Sequence, residues 1–288
     1  MTDDLPVRGG RVRRRQGPRR ASRGFSPRRA LAALVMLAMA GLTWGVVASP
    51  VFGIKVVEVD GAELTGEAAV RAALALPAVP PNAFVIATDD LRERLLALPA
   101  VADAEIRVGL PGTLQVRVAE RVPVLAWRRG ESTYLVDRDG YVVADAAAPG
   151  RAAAAADGLP LVVDRRTDDT GPAVGGRLDA LDLDVATRLR SLVAADIGST
   201  APALLVGIDD RDGWTVVPAV DEPWVAVFGF YGPEIRPPTM IPEQVRTLRS
   251  LLAGREERLL RMVLAGEREG TYTEKPQPEE PAPEEPAP

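Results

Sequence analysis

The sequence predicts an α+β protein: a single transmembrane helix, a small module of βαβαββ type, then a strand-rich domain with flanking helices. Three observations predict it. Residues 30–48 are a 19-residue run without a charge. Beyond it, short strand-like and helix-like pieces alternate for about 70 residues. From Pro123 onward, hairpin patterns recur around two Asp-Arg-Asp-Gly turns, at 137–140 and 210–213.

The first element follows from length and charge. As a helix at 1.5 Å per residue, 30–48 spans about 28 Å, close to the hydrocarbon core of a bilayer. Trp44 lies near its outer end, where an indole favours the headgroup level. Residues 1–29 carry ten arginines against Asp3 and Asp4, whereas the rest of the chain is acidic. That asymmetry predicts a cytoplasmic basic tail and an extracytoplasmic body, with the arginines serving topology and anionic-lipid contact rather than nucleic-acid binding. A cleaved signal peptide ending near Val46-Val47-Ala48 is the alternative. The apolar run exceeds the usual signal length, however, and Pro27 before Arg28-Arg29 spoils a twin-arginine signal.

Residues 54–59 are β-branched and partly alternating, hence a strand that ends at Asp60-Gly61. Thr65 is the expected N-cap of a helix over 67–76, ended by Pro77. Phe84-Val85-Ile86 is a brief apolar run, read as a short strand. Thr88 is the expected cap of a second helix, with Asp89 and Asp90 in its first turn and a stripe of Leu91, Leu95 and Leu98. Residues 104–108 and 113–118 alternate around Leu110-Pro111-Gly112 and predict a hairpin, with Gly112 at a positive φ.

In the second half, strands are expected at 134–136, 141–143, 203–208, 214–217 and 224–228. An Ala-rich loop spans 146–157 and a polar stretch 164–176. Helices are expected at 183–195 and 243–253, the latter between Pro242 and Gly254. Residues 258–264 fit two periods. Leu260, Met262 and Leu264 alternate as in a strand, whereas Leu259, Leu260 and Val263 fit a helix. From 274 the chain holds six prolines and five glutamates and reads as a disordered tail.

Composition removes whole classes of chemistry. The 288 residues include no Cys and no His, which excludes disulfides, Cys/His zinc sites, haem ligation by those residues and any mechanism needing a His base. A calcium loop ending at the second Asp-Arg-Asp-Gly needs acids where Ile208 and Ala219 stand, so both motifs read as hairpin turns. The neighbouring carboxylates Asp89/Asp90, Asp168/Asp169 and Glu256/Glu257 do not face one another across a cleft as a glycosidase pair must. There is no Ser-x-x-Lys, Walker loop or G-x-G-x-x-G. No catalytic, cofactor-binding or metal-binding residue is assigned, and no cofactor is expected. The chain reads as a binding or scaffold protein whose sheet edges can take a partner strand.

Particular residues carry a resemblance. They are Val57-Glu58-Val59-Asp60-Gly61, Asn82-Ala83-Phe84 and the run from Leu95 to Ile106. With them stand Leu110-Pro111-Gly112-Thr113-Leu114 leading to Glu120-Arg121-Val122-Pro123-Val124-Leu125-Ala126, and Leu135-Val136-Asp137-Arg138-Asp139-Gly140. Together they resemble the bacterial cell-division family FtsQ/DivIB. The resemblance implies a tail at 1–29, an anchor at 30–48, a POTRA domain at 52–122, an FtsQ-type β-domain at 123–273 and a disordered tail at 274–288.

It further implies a non-enzymatic divisome scaffold of the plasma (inner) membrane, located at the septum. Such a protein binds FtsB/DivIC-like and FtsL-like partners and other divisome components, with no nucleic acid. It helps couple divisome assembly to septal peptidoglycan synthesis. The partner site falls on the last strands, here Leu260, Met262 and Leu264 with Thr271, Tyr272 and Thr273. An anchored or secreted accessory domain of a cell-wall enzyme is the alternative.

Overall fold

A computed structural model describes residues 27–47, 49–147, 150–168, 171–266 and 269–276. The basic tail up to 26, Asp169 and most of the Pro/Glu tail (277–288) lie outside the described residues. The chain divides into two units at Pro50. The first contains helix α1 (Pro27–Val47), which buries none of its residues and is long and apolar enough to cross a membrane.

The second unit opens with β1 (Val56–Asp60), α2 (Glu67–Leu74), α3 (Thr88–Leu96), β2 (Val101–Gly109) and β3 (Thr113–Glu120). The strands form a sheet of order β1-β3-β2, with β1 parallel and β2 antiparallel to the central β3. Alternation along β3 explains the layering. Leu114, Val116 and Val118 are buried under Val70 and Leu74 of α2 and Leu91 and Leu95 of α3, while Gln115 and Arg117 face water.

Four local expectations are corrected. Residues 84–86 form a turn in which the Phe84 amide donates to Asn82 Oδ1 at 2.9 Å, so the order here is βααββ. Thr65 does not cap α2; Gly66 occupies that position, and the Thr65 hydroxyl is buried without a partner. Thr88 is the first residue of α3, after Ala87 at the N-cap. Gly112 has no positive φ. It is needed because an added Cβ would lie 2.3 Å from the Gly53 carbonyl oxygen, where the entering chain crosses the β2–β3 turn.

The remaining elements are β4 (Pro123–Arg129), β5 (Ser132–Asp137), β6 (Val142–Asp145), α4 (Arg151–Ala156), β7 (Leu161–Asp164), α5 (Ala180–Arg190), β8 (Leu204–Asp209), β9 (Gly213–Pro218), β10 (Val225–Gly229), α6 (Ile241–Leu252), β11 (Leu259–Leu264) and β12 (Gly270–Glu274). They build a nine-stranded sheet of order β12-β11-β10-β9-β8-β7-β4-β5-β6. Of its three parallel pairs, β7–β8 and β10–β11 are each joined across a helix, α5 and α6, and the third is β4–β7.

Val185 and Leu189 of α5 and Leu248 and Leu252 of α6 share one core with Trp127, Trp214 and Phe228. Leu135 and Val143 belong to another cluster, which includes Ala100 and Ala152, Ala155 and Ala156 of α4. The Ala-rich stretch is therefore partly helical. β7, absent from the expectation, pairs parallel with both β4 and β8. Both Asp-Arg-Asp-Gly motifs are tight turns: Asp137 Oδ1 accepts from the Asp139 and Tyr141 amides, and Asp209 Oδ1 from those of Arg211 and Asp212.

The two sheets are tied at the end of β3. Within the first module Glu120 accepts from the Leu64 and Thr65 amides at 2.6 Å each, and Arg151 of α4 reaches across to donate to the Ala62 and Glu63 carbonyls at 3.1 and 2.7 Å. Arg121 bonds the buried Asp137 at 2.9 Å and stacks on Tyr141.

The close approach at Gly112 predicts that Gly112→Ala lowers the stability of residues 51–288 by about 1–3 kcal/mol, the usual cost of forcing a packed backbone apart. Urea denaturation measures it; an unchanged midpoint contradicts the account.

Candidate partner-binding edge

The last two strands are joined in an antiparallel ladder. Arg261 faces Thr273, Met262 faces Tyr272, Val263 faces Thr271, and Leu264 faces Gly270. β11 is inner, running parallel to β10, while β12 is the edge, with no strand beyond it among the described residues. One side of the β12 backbone therefore faces outward, the geometry that accepts an added strand.

Residues 258–264 thus resolve as strand from Leu259, but not with simple alternation. The ladder shifts between Leu259 and Arg261. Leu259, Met262 and Leu264 are buried and Leu260 is exposed, at 43%. A bulge explains this: one extra residue re-aims the side chains that follow. Met262 and Leu264 belong to the main core and present no side chain to a partner. Leu260 does, and so do Thr271, Tyr272 and Thr273 on β12. Tyr272 is 45% exposed, with the Arg255 guanidinium 5.1 Å from its ring centroid. The edge thus combines a polar backbone row with one half-exposed aromatic ring.

Residues that the sequence left unremarked hold this edge. Gln244 of α6 is fully buried, and its amide nitrogen donates to the Phe228 carbonyl at 3.0 Å and the Leu264 carbonyl at 2.8 Å. Its oxygen accepts from the Tyr231 hydroxyl at 2.5 Å. Arg236 donates to the same two carbonyls, each at 3.1 Å. The C-terminal ends of β10 and β11 are thereby pinned together. Burial raises the Tyr231 pKa well above the ordinary phenol value, so the hydroxyl stays a donor.

Farther along, Arg261 forms a two-pronged pair with Asp212 in the β8–β9 turn, at 2.7 Å for both contacts. At the strand's start Glu256 accepts from Trp224 Nε1 and the Thr200 amide, each at 3.0 Å, and from the Ser199 hydroxyl. The Lys275 amide donates to the Arg258 carbonyl at 2.7 Å, extending the ordered chain past the expected boundary at 274. A signal for Gln244 did exist in the sequence: it is the polar residue on the face of α6 that carries Ile241, Leu248 and Leu252.

Two carboxylates here titrate low. For Asp212 the hydrogen bonds from Arg261 are the main cause. For Glu256 burial alone would raise the pKa, but the bonds from Ser199, Trp224 and Thr200 outweigh it.

Parts of the chain are similar to known proteins. Residues 52–121 match the family described as POTRA domain, FtsQ-type. The chain is 43% identical over 95 residues to the cell division protein FtsQ of Jannaschia sp. (strain CCS1), covering 33% of this chain and 30% of that protein. It is 34% identical over 147 residues to FtsQ of Chloroflexus aurantiacus, covering 51% of each. With FtsQ of Mycolicibacterium smegmatis it shares 31% over 180 residues, covering 61% of this chain and 51% of that protein. The similarity thus spans about a third to about half of the relatives' length.

Gln244→Leu should destabilise the chain by about 1–3 kcal/mol, since the buried Tyr231 hydroxyl loses its acceptor and the Phe228 and Leu264 carbonyls keep only Arg236. Denaturation of residues 51–288 measures it, and a loss below about 1 kcal/mol contradicts the clamp. The low carboxylates predict an acid limb. A carboxylate with a depressed folded pKa adds stability that is full above its unfolded value, about 4, and is lost as pH falls through the folded value. The midpoint should therefore drop below about pH 4, and Asp212→Asn should flatten that drop. An identical acid profile for wild type and Asp212→Asn contradicts the assignment.

Proposed function

Proceeding from an FtsQ-type POTRA domain in a chain related to cell division proteins named FtsQ, we propose that this protein is a non-enzymatic scaffold of the bacterial division machinery. Helix α1 anchors it in the plasma membrane, with residues 1–29 cytoplasmic and the body outside, at the septum. The chain divides into a basic tail, the anchor, a POTRA domain at 52–122, a β-domain at 123–273 and a Pro/Glu tail. It binds FtsB/DivIC-like and FtsL-like proteins and helps couple divisome assembly to septal peptidoglycan synthesis.

The observation that carries this reading is β12. It is a five-residue edge strand beside a buried, clamped neighbour, with Leu260, Thr271, Tyr272 and Thr273 exposed around it. Such an edge gives affinity through main-chain hydrogen bonds and specificity through alternate side chains. The charge asymmetry around α1 supports the orientation, and the lack of His and Cys suits action through contacts rather than catalysis.

A pull-down with the FtsB/DivIC-like partner tests the edge. Because Lys275 is tied to Arg258, the informative truncations fall on either side of β12. A chain ending at Pro276 should bind fully, and one ending at Gly266 should not. Tyr272→Ala should weaken binding about 5–30-fold, the effect of a hot-spot aromatic worth about 1–2 kcal/mol. Full binding by the chain ending at Gly266 places the interface elsewhere. In cells, depletion should produce filaments, and protease added to spheroplasts should digest the body and spare the basic tail.

A further inference from the structure

Three segments without a charged residue meet at one end of the POTRA domain: 50–54, 75–88 and 109–114. Backbone hydrogen bonds join them. The Ala83 amide donates to the Phe52 carbonyl at 2.8 Å, the Ile54 amide to the Pro81 carbonyl at 2.9 Å, and the Lys55 amide to the Gly112 carbonyl at 2.8 Å. The rings of Phe52 and Phe84 pack at 5.1 Å between centroids. From this end Phe84 and Val85 project on the Asn82 turn, with Val51, Val79 and Leu110 within two residues of the joining contacts. Val79 is 79% exposed, Val85 73% and Leu110 61%. Large apolar side chains gathered at one end of a domain mark an interaction surface; the charges next to it, Asp90 and Arg94 of α3, line a pocket with Ala75, Pro81 and Ile86.

Chain length and charge select the occupant. Val51 follows Val47, the last residue of α1, by four residues, a reach of at most about 14 Å. The headgroup layer on each side of the hydrocarbon core is about 5–8 Å thick. From Ala30 to Ile54 the sequence has no charge, and the first one after it is a cation, Lys55, which is exposed. A lysine there complements anionic headgroups. We propose that this end of the POTRA domain is seated in the membrane interface, with Phe84, Val85 and Leu110 among the lipids and Lys55 against anionic headgroups. The inference rests on the reading of α1 as an anchor.

The absence of cysteine makes single-cysteine labelling clean. Full-length Leu42→Cys, Val85→Cys, Leu110→Cys and Val122→Cys would each carry an environment-sensitive fluorophore. They would be reconstituted in phosphatidylethanolamine/phosphatidylglycerol vesicles with or without brominated acyl chains. Val122 is the control, since the eight residues of β3 put it about 27 Å from the Leu110 turn. Labels at 85 and 110 should be quenched at least about twofold by brominated lipid, as expected for groups at the headgroup/acyl boundary, and the label at 122 should be unaffected. Quenching at 42 without quenching at 85 and 110 overturns the interfacial seat and leaves the anchor standing. Quenching at none of them overturns both. A label at 85 that is shielded from aqueous iodide but untouched by brominated lipid means that protein covers the surface, which also overturns the proposal.

Discussion

The C-terminal edge of this protein rests on a buried amide, that of Gln244, which shares its two carbonyl partners with Arg236. β10 and β11 run parallel, so no hairpin turn holds their ends together; a helix of twelve residues separates them in sequence. At their C-terminal ends the Phe228 and Leu264 carbonyls each accept from two side chains, Gln244 and Arg236. Gln244 reaches both from the first turn of that helix, and Tyr231 completes the amide's own requirements. The clamp therefore joins helix packing, strand pairing and polar satisfaction in one residue. Among the described strands β12 pairs with β11 alone, so its position rests on that neighbour.

A similar economy joins the two sheets. β3 of the POTRA sheet leads into β4 of the large sheet with only Arg121 and Val122 between them. Glu120 and Arg121, adjacent in sequence, serve opposite sides of the junction. Glu120 caps the amides of the loop before α2, and Arg121 reaches the buried Asp137 in the first Asp-Arg-Asp-Gly turn. That turn carboxylate thus both shapes a hairpin and receives an inter-sheet arginine. Under the proposed function, this junction passes position from a membrane-anchored end to a partner-binding edge.

Elements whose pattern is self-contained were legible. The β2–β3 hairpin, the helix stripe of Leu91 and Leu95, and both Asp-Arg-Asp-Gly turns follow from residue type and spacing alone. β7 was not: four residues after Pro160 carry too little pattern, and they form a strand because β4 and β8 stand on either side. At β11 the alternation of Leu260, Met262 and Leu264 was visible, but the bulge near its start sends Leu260 outward while the other two join the core. The candidate site was thus readable as a segment, and its exposed members were not. Gln244 escaped notice because a lone polar residue on an apolar helical face acquires meaning only once the carbonyls it meets are known.

By itself the sequence determined the apolar span and its charge asymmetry, the α+β alternation, the turn chemistry and the exclusion of His- and Cys-based catalysis. These depend on local composition and period, which survive without tertiary contacts. Only the tertiary structure decided the strand order, the identity of β12 as the edge, the burial of Met262 and Leu264, and the need for glycine at 112. Each of those depends on which distant backbone comes close: Gly53 against Gly112, Phe228 and Leu264 against Gln244, Arg261 against Asp212. Such approaches leave no period in the chain, because the partners lie from about 16 to about 60 residues apart and are matched only by packing.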